Sequence, residues 1–388
     1  MRFGGFSDLW KKSTIEKNAK VYDGTHQTPI YTKSGVKFVS VENIKDLYSS
    51  DKYISVEDYY SDFKYVPEIN DILMTRIGDI GTPALVTKSE PLAYYVSLAL
   101  LKEIDLEPHF LYHYIQTAPF QKELWRRTLH VAFPKKINKN EIGDCAIFYP
   151  STRCEQKKVA LFLDGIEKRI KIQNKIIEDL KVLKKELMDV ILNTNEFIEM
   201  SIQELIDLGY LSIVKASELK PFVGTREYLS TSSIGEDGIE QVESIISYND
   251  RPSRASMFPI KDSIWFAKMK NTIKVYQSVG NDEERYILST GFYGLLCNKN
   301  LIDPRWLLEL FKSEYFNSQK DRFSEGSSMS GIKDSQLADI NLKVFKNREL
   351  EFIHSNYIEK VSQKIKLEKQ VLKMLFKQKQ FYLNAMFI

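Results

Sequence analysis

Apolar residues recur at alternating spacings of three and four along two long segments of the chain. One segment covers residues 155–193 and the other runs from Arg348 to the end, and neither contains proline. This spacing puts the apolar side chains on one side of a helix and is typical of helices that pack together. The predicted packing residues, called the seam below, are Val159, Leu163, Ile166, Ile170, Ile177, Leu180, Leu187 and Ile191 in the first segment and Ile358, Val361, Ile365, Leu372, Leu375, Tyr382 and Met386 in the second. We predict two helices of about 38 residues, each on the order of 55 Å long.

The second predicted helix repeats the first at an offset of 195 residues. The polar interruptions of the first seam, Gln173 and Lys184, fall on Glu368 and Lys379 of the second. Amphipathic helices often share an apolar spacing, but they seldom share the positions of their polar breaks. The repeat therefore indicates an internal duplication.

Segments between the helices repeat in the same order. Each half has two apolar, strand-like runs followed by a helix-like stretch. The matching segments are 37–41 with 226–230, 71–77 with 263–269, and 108–116 with 304–313. Each half therefore contains a globule of mixed strand and helix, about 150 residues long, which is an ordinary domain size.

These repeats predict an α+β fold with two similar globules separated by two long helices. Seams of matching register would pack as an antiparallel coiled coil if the globules lie at opposite ends. The predicted boundaries are 1–150 and 198–345 for the globules and 151–197 and 346–388 for the helical segments. The alternative is that the helices only dimerise the protein.

The composition indicates a folded protein and leaves its ligand open. Hydrophobic residues make up 43% of the chain and charged residues 28%, as in proteins with sizeable cores. The net charge is only +3, because 55 basic residues are offset by 52 acidic ones, so nucleic-acid binding is permitted but not required. Aromatic residues, 12% of the chain, serve either recognition surfaces or packed cores.

Cysteine usage and hydropathy bear on the compartment. The three cysteines, Cys145, Cys154 and Cys297, have no metal-like spacing and support neither a disulfide framework nor a zinc site. The first ten residues carry no apolar run of signal-peptide length, and no run of about 18 apolar residues occurs. We expect a cytoplasmic protein in a reducing compartment, with no membrane partner.

Motifs of known catalytic sites are missing from the sequence. There is no Gly-x-x-x-x-Gly-Lys-Ser/Thr phosphate loop, no Gly-rich nucleotide fingerprint and no Asn/Asp-Pro-Pro-Tyr adenine methylation site. Gly-x-Ser-x-Gly and His-Glu-x-x-His are also missing. His109 and His113 lie four apart on a predicted helix, but no carboxylate or cysteine follows nearby, so no metal site is predicted. We expect no catalytic residues in this chain.

Several segments, taken in order, resemble the specificity subunits of type I restriction-modification systems. They are residues 2–10 (RFGGFSDLW), 72–76 (ILMTR) followed by 78–81 (GDIG), 150–156 (PSTRCEQ), 252–255 (PSRA), 326–332 (GSSMSGI) and 367–388. The second half departs from the pattern at 348–351 (RELE), where the first half has 153–156 (RCEQ), and at the degenerate hairpin 268–271 (KMKN). The resemblance covers nearly the whole chain.

The resemblance implies a division of labour. Each globule would be a target recognition domain for one half of a bipartite, asymmetric double-stranded DNA sequence. The helices would hold the globules apart, roughly one and a half duplex turns for helices of this length, and dock two adenine methyltransferase subunits and restriction/translocase subunits. S-adenosylmethionine and ATP would be bound by those partners, and this chain would bind no cofactor and catalyse no reaction.

Reading DNA needs cations for phosphates and forked or amide donors for base edges. The candidate DNA-binding residues are Arg76, Arg126, Arg127, Lys135 and Lys136 in the first globule and Arg226, Arg251, Arg254, Lys268 and Lys270 in the second. The alternative for any one of them is an ordinary surface charge. The Ser/Gly-rich loop 324–331 either wraps a phosphate or is a connector. Two other functions stay open, a scaffold whose globules bind proteins and an enzyme with an unrecognised nuclease site.

Overall fold

The structure is a computed structural model in which residues 1–215, 219, 221–236, 238–324 and 331–387 are described. The chain divides into two compact units. The first consists of Met1–Asn174 with Val371–Ile388, and the second of Lys175–Gln370. Each unit therefore combines a globule with a part of both long helices.

Short strands and helices build the globule of the first unit. Its elements are β1 (Lys11–Thr14), β2 (Lys20–Asp23), β3 (Val36–Val39), β4 (Tyr53–Ile54), α1 (Val56–Asp62), β5 (Ile72–Ile77), β6 (Asp79–Leu85), β7 (Leu92–Tyr94), β8 (Leu98–Lys102), α2 (Pro108–Ile115), α3 (Ala118–Arg127), α4 (Lys139–Gly143) and β9 (Ala146–Tyr149), followed by the long helix α5 (Arg153–Leu192). The strands pair in the orders β2-β8-β5-β6, β4-β3-β7 and β1-β9. Strand β3 runs parallel to β7, and the other pairs are antiparallel.

The central strands of this globule carry runs of apolar residues, Ile72–Met74 in β5 and Leu98–Leu101 in β8, because both of their faces are covered. Along β8, Leu98 and Leu100 join one core while Ala99 and Leu101 join another, the period of two that a strand imposes. The hairpin between β5 and β6 turns at Gly78, whose φ of 81° is a left-handed conformation that favours glycine. The hairpin is therefore specified locally, and the sheet around it by burial.

The second unit is built in the same way. Its elements are β10 (Phe197–Ser201), α6 (Ile202–Asp207), β11 (Leu211–Val214), β12 (Thr225–Leu229), β13 (Ile234–Gly235), β14 (Gly238–Ile239), β15 (Ser244–Ser247), β16 (Ala255–Met257), β17 (Ser263–Ala267), β18 (Val275–Gln277), α7 (Asp282–Arg285), β19 (Tyr286–Ser289), β20 (Phe292–Cys297), α8 (Pro304–Lys312), α9 (Glu314–Phe323), α10 (Asp334–Ala338), β21 (Asn341–Phe345) and the long helix α11 (Arg348–Met386). The strands pair in the orders β11-β20-β17-β18, β15-β12-β19-β16, β10-β21 and β13-β14.

The two globules share most of their topology, and the second adds a strand to one sheet and the pair β13-β14. The sheet β2-β8-β5-β6 corresponds to β11-β20-β17-β18, and the pair β1-β9 corresponds to β10-β21. The one parallel pair of the first globule, β3 with β7, recurs as β12 with β19. Helices α2, α3 and α4 recur as α8, α9 and α10. The prediction of two similar α+β globules is confirmed.

A hydrogen bond at the start of each long helix also repeats. In the first unit, Gln156 Oε1 accepts from the backbone N of Glu107, the residue before α2, at 2.9 Å. In the second, Glu351 Oε1 accepts from the backbone N of Asp303, the residue before α8, at 2.9 Å. The Glu-Gln pattern that the second half lacks is thus replaced by a carboxylate that makes the same bond.

Within each unit the long helices pack on each other in antiparallel directions. In the first unit, the N-terminal part of α5 meets the C-terminal part of α11, where the rings of Phe162 and Tyr382 lie 4.7 Å apart. In the second unit, the C-terminal part of α5 meets the N-terminal part of α11, and Ile191 and Ile358 share one core. Every predicted seam residue is buried or half-buried. The coiled coil therefore contributes to the cores of both units.

Candidate nucleic-acid interface

Arg76, at the end of β5, is held inside the first globule. Its side chain is 7% exposed and pairs with the carboxylate of Asp23, which is 25% exposed. Its Nε donates to the carbonyl oxygen of Ile137 at 3.1 Å. Burial lowers the pKa of Arg76. The guanidinium is therefore engaged by the fold, and its surroundings do not support the predicted DNA contact.

Replacing Arg76 with alanine is expected to destabilise the protein rather than to change DNA recognition. The loss would leave the Asp23 carboxylate without its cation, and breaking such a pair lowers the free energy of unfolding by about 2–4 kcal/mol where one partner keeps some access to water. Urea unfolding measures the change. The matched control is Arg126→Ala, which removes a side chain that is 70% exposed and is expected to change stability by less than about 0.5 kcal/mol. Unchanged stability together with lost DNA binding would instead indicate that Arg76 contacts the DNA.

Arg126 and Arg127 lie in the last turn of α3. Arg126 reaches into solvent and pairs with Glu123 at 2.7 Å. Arg127 is more enclosed and pairs with Glu123 at 2.9 Å and with Glu141 at 3.0 Å. The hydrogen bond to Glu123 raises the pKa of Arg127. Arg126 is the better placed of the two for an external anion.

Lys135 and Lys136 lie on a loop that returns from α3 to the β5–β6 hairpin. The backbone N of Gly78 donates to the carbonyl oxygen of Lys135 at 2.8 Å, and that of Leu129 donates to Lys136 at 2.8 Å. Lys135 Nζ stands 4.4 Å from the ring centre of Trp125. The loop therefore joins the hairpin to α3 and brings four predicted cations together: Arg126, Arg127, Lys135 and Lys136.

Exposed apolar side chains accompany these cations, and the sequence analysis missed them. Phe133 and Val131 are fully exposed, and the ring of Trp125 is half exposed. An aromatic residue in solvent beside lysines is typical of a surface that meets a ligand. The sequence signal that could have revealed them is the presence of Val131 and Phe133 inside a loop that also contains proline and two lysines. The set Trp125, Arg126, Val131, Phe133, Lys135 and Lys136 is called the first recognition surface below.

The candidates of the second globule divide into stacked and exposed cations. Arg226 stacks 4.5 Å from the ring centre of Phe222, and Arg251 stacks 4.0 Å from that of Tyr248. Burial lowers the pKa of Lys268, whose Nζ lies 4.0 Å from the ring centre of Tyr293. Arg254 is exposed, and within the described parts of the chain its guanidinium has no partner.

The turn between β19 and β20 brings some of these second-globule residues together. The backbone N of Thr290 donates to the carbonyl oxygen of Arg254, and the backbone N of Lys268 donates to that of Gly291, each at 2.9 Å. Lys270 follows as an exposed residue. Of the Ser/Gly-rich loop, residues 325–330 lie outside the described residues.

His109 and His113 have carboxylate neighbours, contrary to the sequence-based expectation. Helix α5 supplies Asp164, whose two oxygens lie 2.8 Å from His109 Nδ1 and 2.8 Å from His113 Nε2. Glu167, one turn further, is paired with Lys379 Nζ of α11 at 2.5 Å. The expectation failed because these partners lie 51 or more residues away in sequence. The positive charge beside these carboxylates is supplied by the Lys379 ammonium. The histidines pair with Asp164, and Lys379 pairs with Glu167.

The long helices expose a second line of apolar residues beside the buried seam. On α5, Ile176, Leu183 and Val190 are 38%, 51% and 66% exposed. On α11, Leu367, Met374 and Phe381 are 57%, 61% and 57% exposed. The members of each line are seven residues apart, one residue before a seam position and so about 100° around the helix. Each line, called an outer stripe below, leaves apolar surface open to a further helix or protein.

Comparison with protein families decides the identity of the first globule. Residues 4–182 match the family model described as type I restriction modification DNA specificity domain. This segment is a type I restriction-modification DNA specificity domain. The family expected from the sequence motifs is thereby confirmed, and the second globule repeats the topology of this specificity domain.

Two solved structures share the fold of this chain along nearly its whole length. The S subunit of a type I restriction-modification system from M. genitalium is 15% identical, with a TM-score of 0.62 over 100% of this chain and 99% of that chain. A structure describing complex assembly and conformational transition of the type I R-M system is 11% identical, with a TM-score of 0.55 over 97% of each chain. At these identities the similarity concerns the fold. No curated protein matches the chain.

Among the described residues, no helix combines the length and the apolar character that crossing a bilayer requires.

Proposed function

We propose that this chain is the DNA specificity subunit of a type I restriction-modification enzyme. Each globule would bind one half of a bipartite, asymmetric double-stranded DNA target, and the chain itself would catalyse no reaction. The observation that carries the proposal is the duplicated globule, one copy of which is a DNA specificity domain, combined with the paired long helices.

Different half-sites are expected because the two globules present different chemistry. The first recognition surface combines lysines and Arg126 with exposed apolar side chains. The candidate cations of the second globule are two arginines stacked on aromatic rings, the exposed Arg254, and the lysines Lys268 and Lys270. Lysines suit phosphates as point charges, whereas stacked arginines present a planar fork that suits guanine edges.

The outer stripes support a role in assembly. Apolar side chains spaced by seven on a helix are the contacts that a neighbouring protein helix would cover. We assign the stripes to two methyltransferase subunits, with restriction/translocase subunits joining the same complex. S-adenosylmethionine and ATP would then be bound by those partners and not by this chain.

DNA binding by the isolated chain is expected to weaken steeply with salt, because each lysine–phosphate contact releases a condensed counterion. Replacing Lys135 and Lys136 with alanine should reduce the slope of log Kd against log salt by about 1–2, one for each lost phosphate contact. Fluorescence anisotropy with a duplex across a salt series gives the slope.

The matched control is the pair Lys17 and Lys20, which are exposed at the β2 edge of the same sheet, away from the β5–β6 hairpin. Their replacement with alanine should leave the slope unchanged. Salt-independent binding of a protein, with no DNA affinity in the unaltered chain, would instead support a scaffold whose globules bind proteins.

A further inference from the structure

Helices α2 and α8 occupy equivalent places in the two units but are attached to their long helices by different chemistry. His109 is the second residue of α2, and its Nδ1 lies 2.8 Å from Asp164 Oδ2 on α5. Arg305 is the second residue of α8, and it pairs with Glu359 on α11 at 2.9 Å. An imidazole therefore stands in the first unit where the second has a guanidinium.

The equivalence does not depend on these two residues alone. Glu107 before α2 and Asp303 before α8 each donate a backbone N–H to the long helix, to Gln156 and Glu351. The acidic partners Asp164 and Glu359 follow those two acceptors by the same eight residues. The comparison is therefore between one position in two copies of the same fold.

The charged groups around the His109 imidazole determine which partners it can pair with. The charged or titratable groups around His109 and Asp164 are Asp164 and Glu167 from α5, Lys379 from α11, and Glu107, Tyr112 and His113 from α2 and its start. Lys379 Nζ pairs with Glu167 Oε1 at 2.5 Å and donates to Gln116 Oε1 at 2.7 Å. The charged partners of Asp164 are therefore the two histidines.

The two histidines differ in how they hold Asp164. His113 is wholly buried, and its Nε2 lies 2.8 Å from Asp164 Oδ1, a hydrogen bond that a neutral imidazole can donate. His109 is about one-third exposed, and its Nδ1 has no well-aligned acceptor. Its short approach to Asp164 is therefore a charge contact that needs the protonated ring.

We propose that His109 is a positioning residue that tightens the packing of α2 on α5 while it is protonated, whereas Arg305 tightens that of α8 on α11 from weakly acidic to alkaline pH. The first globule then loosens from its long helix as the pH rises through neutrality, and the second does not. This inference concerns the packing of each unit and holds whether or not the chain binds DNA.

The direction follows from the pKa of each partner. The interaction with Asp164 raises the pKa of His109 above its ordinary value of 6.5, against the opposing effect of burial. Burial acts to raise the pKa of Asp164, but the two histidines together lower it below its ordinary value of 3.8. The His109 contribution is fully present below pH 6.5 and is lost as the pH rises through the higher folded-state pKa. The Asp164 contribution is present above pH 3.8 and is lost only in stronger acid.

Hydrogen–deuterium exchange on the full chain tests the proposal by comparing α2 with α8 at pH 6.0 and pH 8.5, after correction for intrinsic exchange rates. Protection of α2 should fall about two- to fivefold at the higher pH, the range that a partly exposed charge pair supports. Protection of α8 should stay unchanged. A chelator in every sample removes any contribution from bound metal.

Reciprocal substitutions separate positioning from general stability. His109→Arg gives the first unit the chemistry of the second and should abolish the pH dependence of α2 while keeping its protection. Arg305→His should create that dependence in α8. His109→Gln should hold α2 at the same reduced protection at both pH values, so that it falls below the unaltered chain at pH 6.0 and matches it at pH 8.5. An α2 response that persists in His109→Arg, or that is missing from the unaltered chain, would overturn the proposal, and the His109→Arg comparison alone suffices if Arg305→His does not fold.

Discussion

A seven-residue insertion in both long helices is expected to lengthen the gap between the two methylated half-sites by about three base pairs. Each residue adds about 1.5 Å of helix, so a heptad adds on the order of 10 Å, and a duplex rises about 3.4 Å per base pair. The insertions belong between Asn174 and Lys175 and between Gln370 and Val371, where both helices pass from one compact unit to the other. A full heptad preserves the seam.

Sequencing of modified bases in cells that express the variant with its methyltransferase measures the gap. Both half-sites should keep their sequence, because neither globule is altered. The control inserts a heptad in α11 alone, which shifts the seams out of register and should abolish methylation. An unchanged gap in the double insertion would mean that the helices do not set the spacing and would favour the alternative in which they serve only to dimerise the chain.

Charged residues in the outer stripe of α11 are expected to abolish methylation while sparing DNA binding. Leu367→Glu with Met374→Glu replaces two apolar side chains that are 57% and 61% exposed in the isolated chain. Burial of each against a partner is worth about 1.5–3 kcal/mol, so the pair should weaken methyltransferase binding more than 100-fold. Because these residues lie outside the seam, the fold should be retained.

Co-purification with the methyltransferase and titration calorimetry measure this loss. Lys360 occupies a position of the same seven-residue spacing that is already polar, so Lys360→Gln is the matched control and should bind as the unaltered chain does. Full methyltransferase binding by the double variant would show that the partner docks on another surface.

Structural features that depend on residues close together in the chain could be predicted from the sequence. The heptad spacing located both long helices, which begin at Arg153 and Arg348, and the repeat of its polar breaks pointed to two globules of one fold. The strand at 71–77 was visible because it contains the apolar run Ile72–Met74, which is buried on both faces of the sheet. The parallel pairing of β3 with β7 was not, since it joins segments about 55 residues apart with no local turn to specify it.

The candidate site was less accessible because it depends on partners distant in sequence. In the sequence, Arg76 is a basic residue at the end of a strand, and such a residue suits a DNA contact as well as an internal ion pair. The structure shows the ion pair, with Asp23, which lies 53 residues away in sequence. His109 and His113 had no visible partner until α5 brought Asp164 to them. The exposure of Phe133 depends on how the loop returns to the hairpin. Residue type limits the chemistry of a position, but the tertiary partner decides its use.

The most direct test of the whole account is the sequence context of methylated adenines in genomic DNA from cells that express this chain with its methyltransferase. We expect one motif made of two dissimilar half-sites at a constant separation, and we expect it to disappear when this chain is omitted. Methylation with a single undivided motif, or the same methylation without this chain, would contradict it.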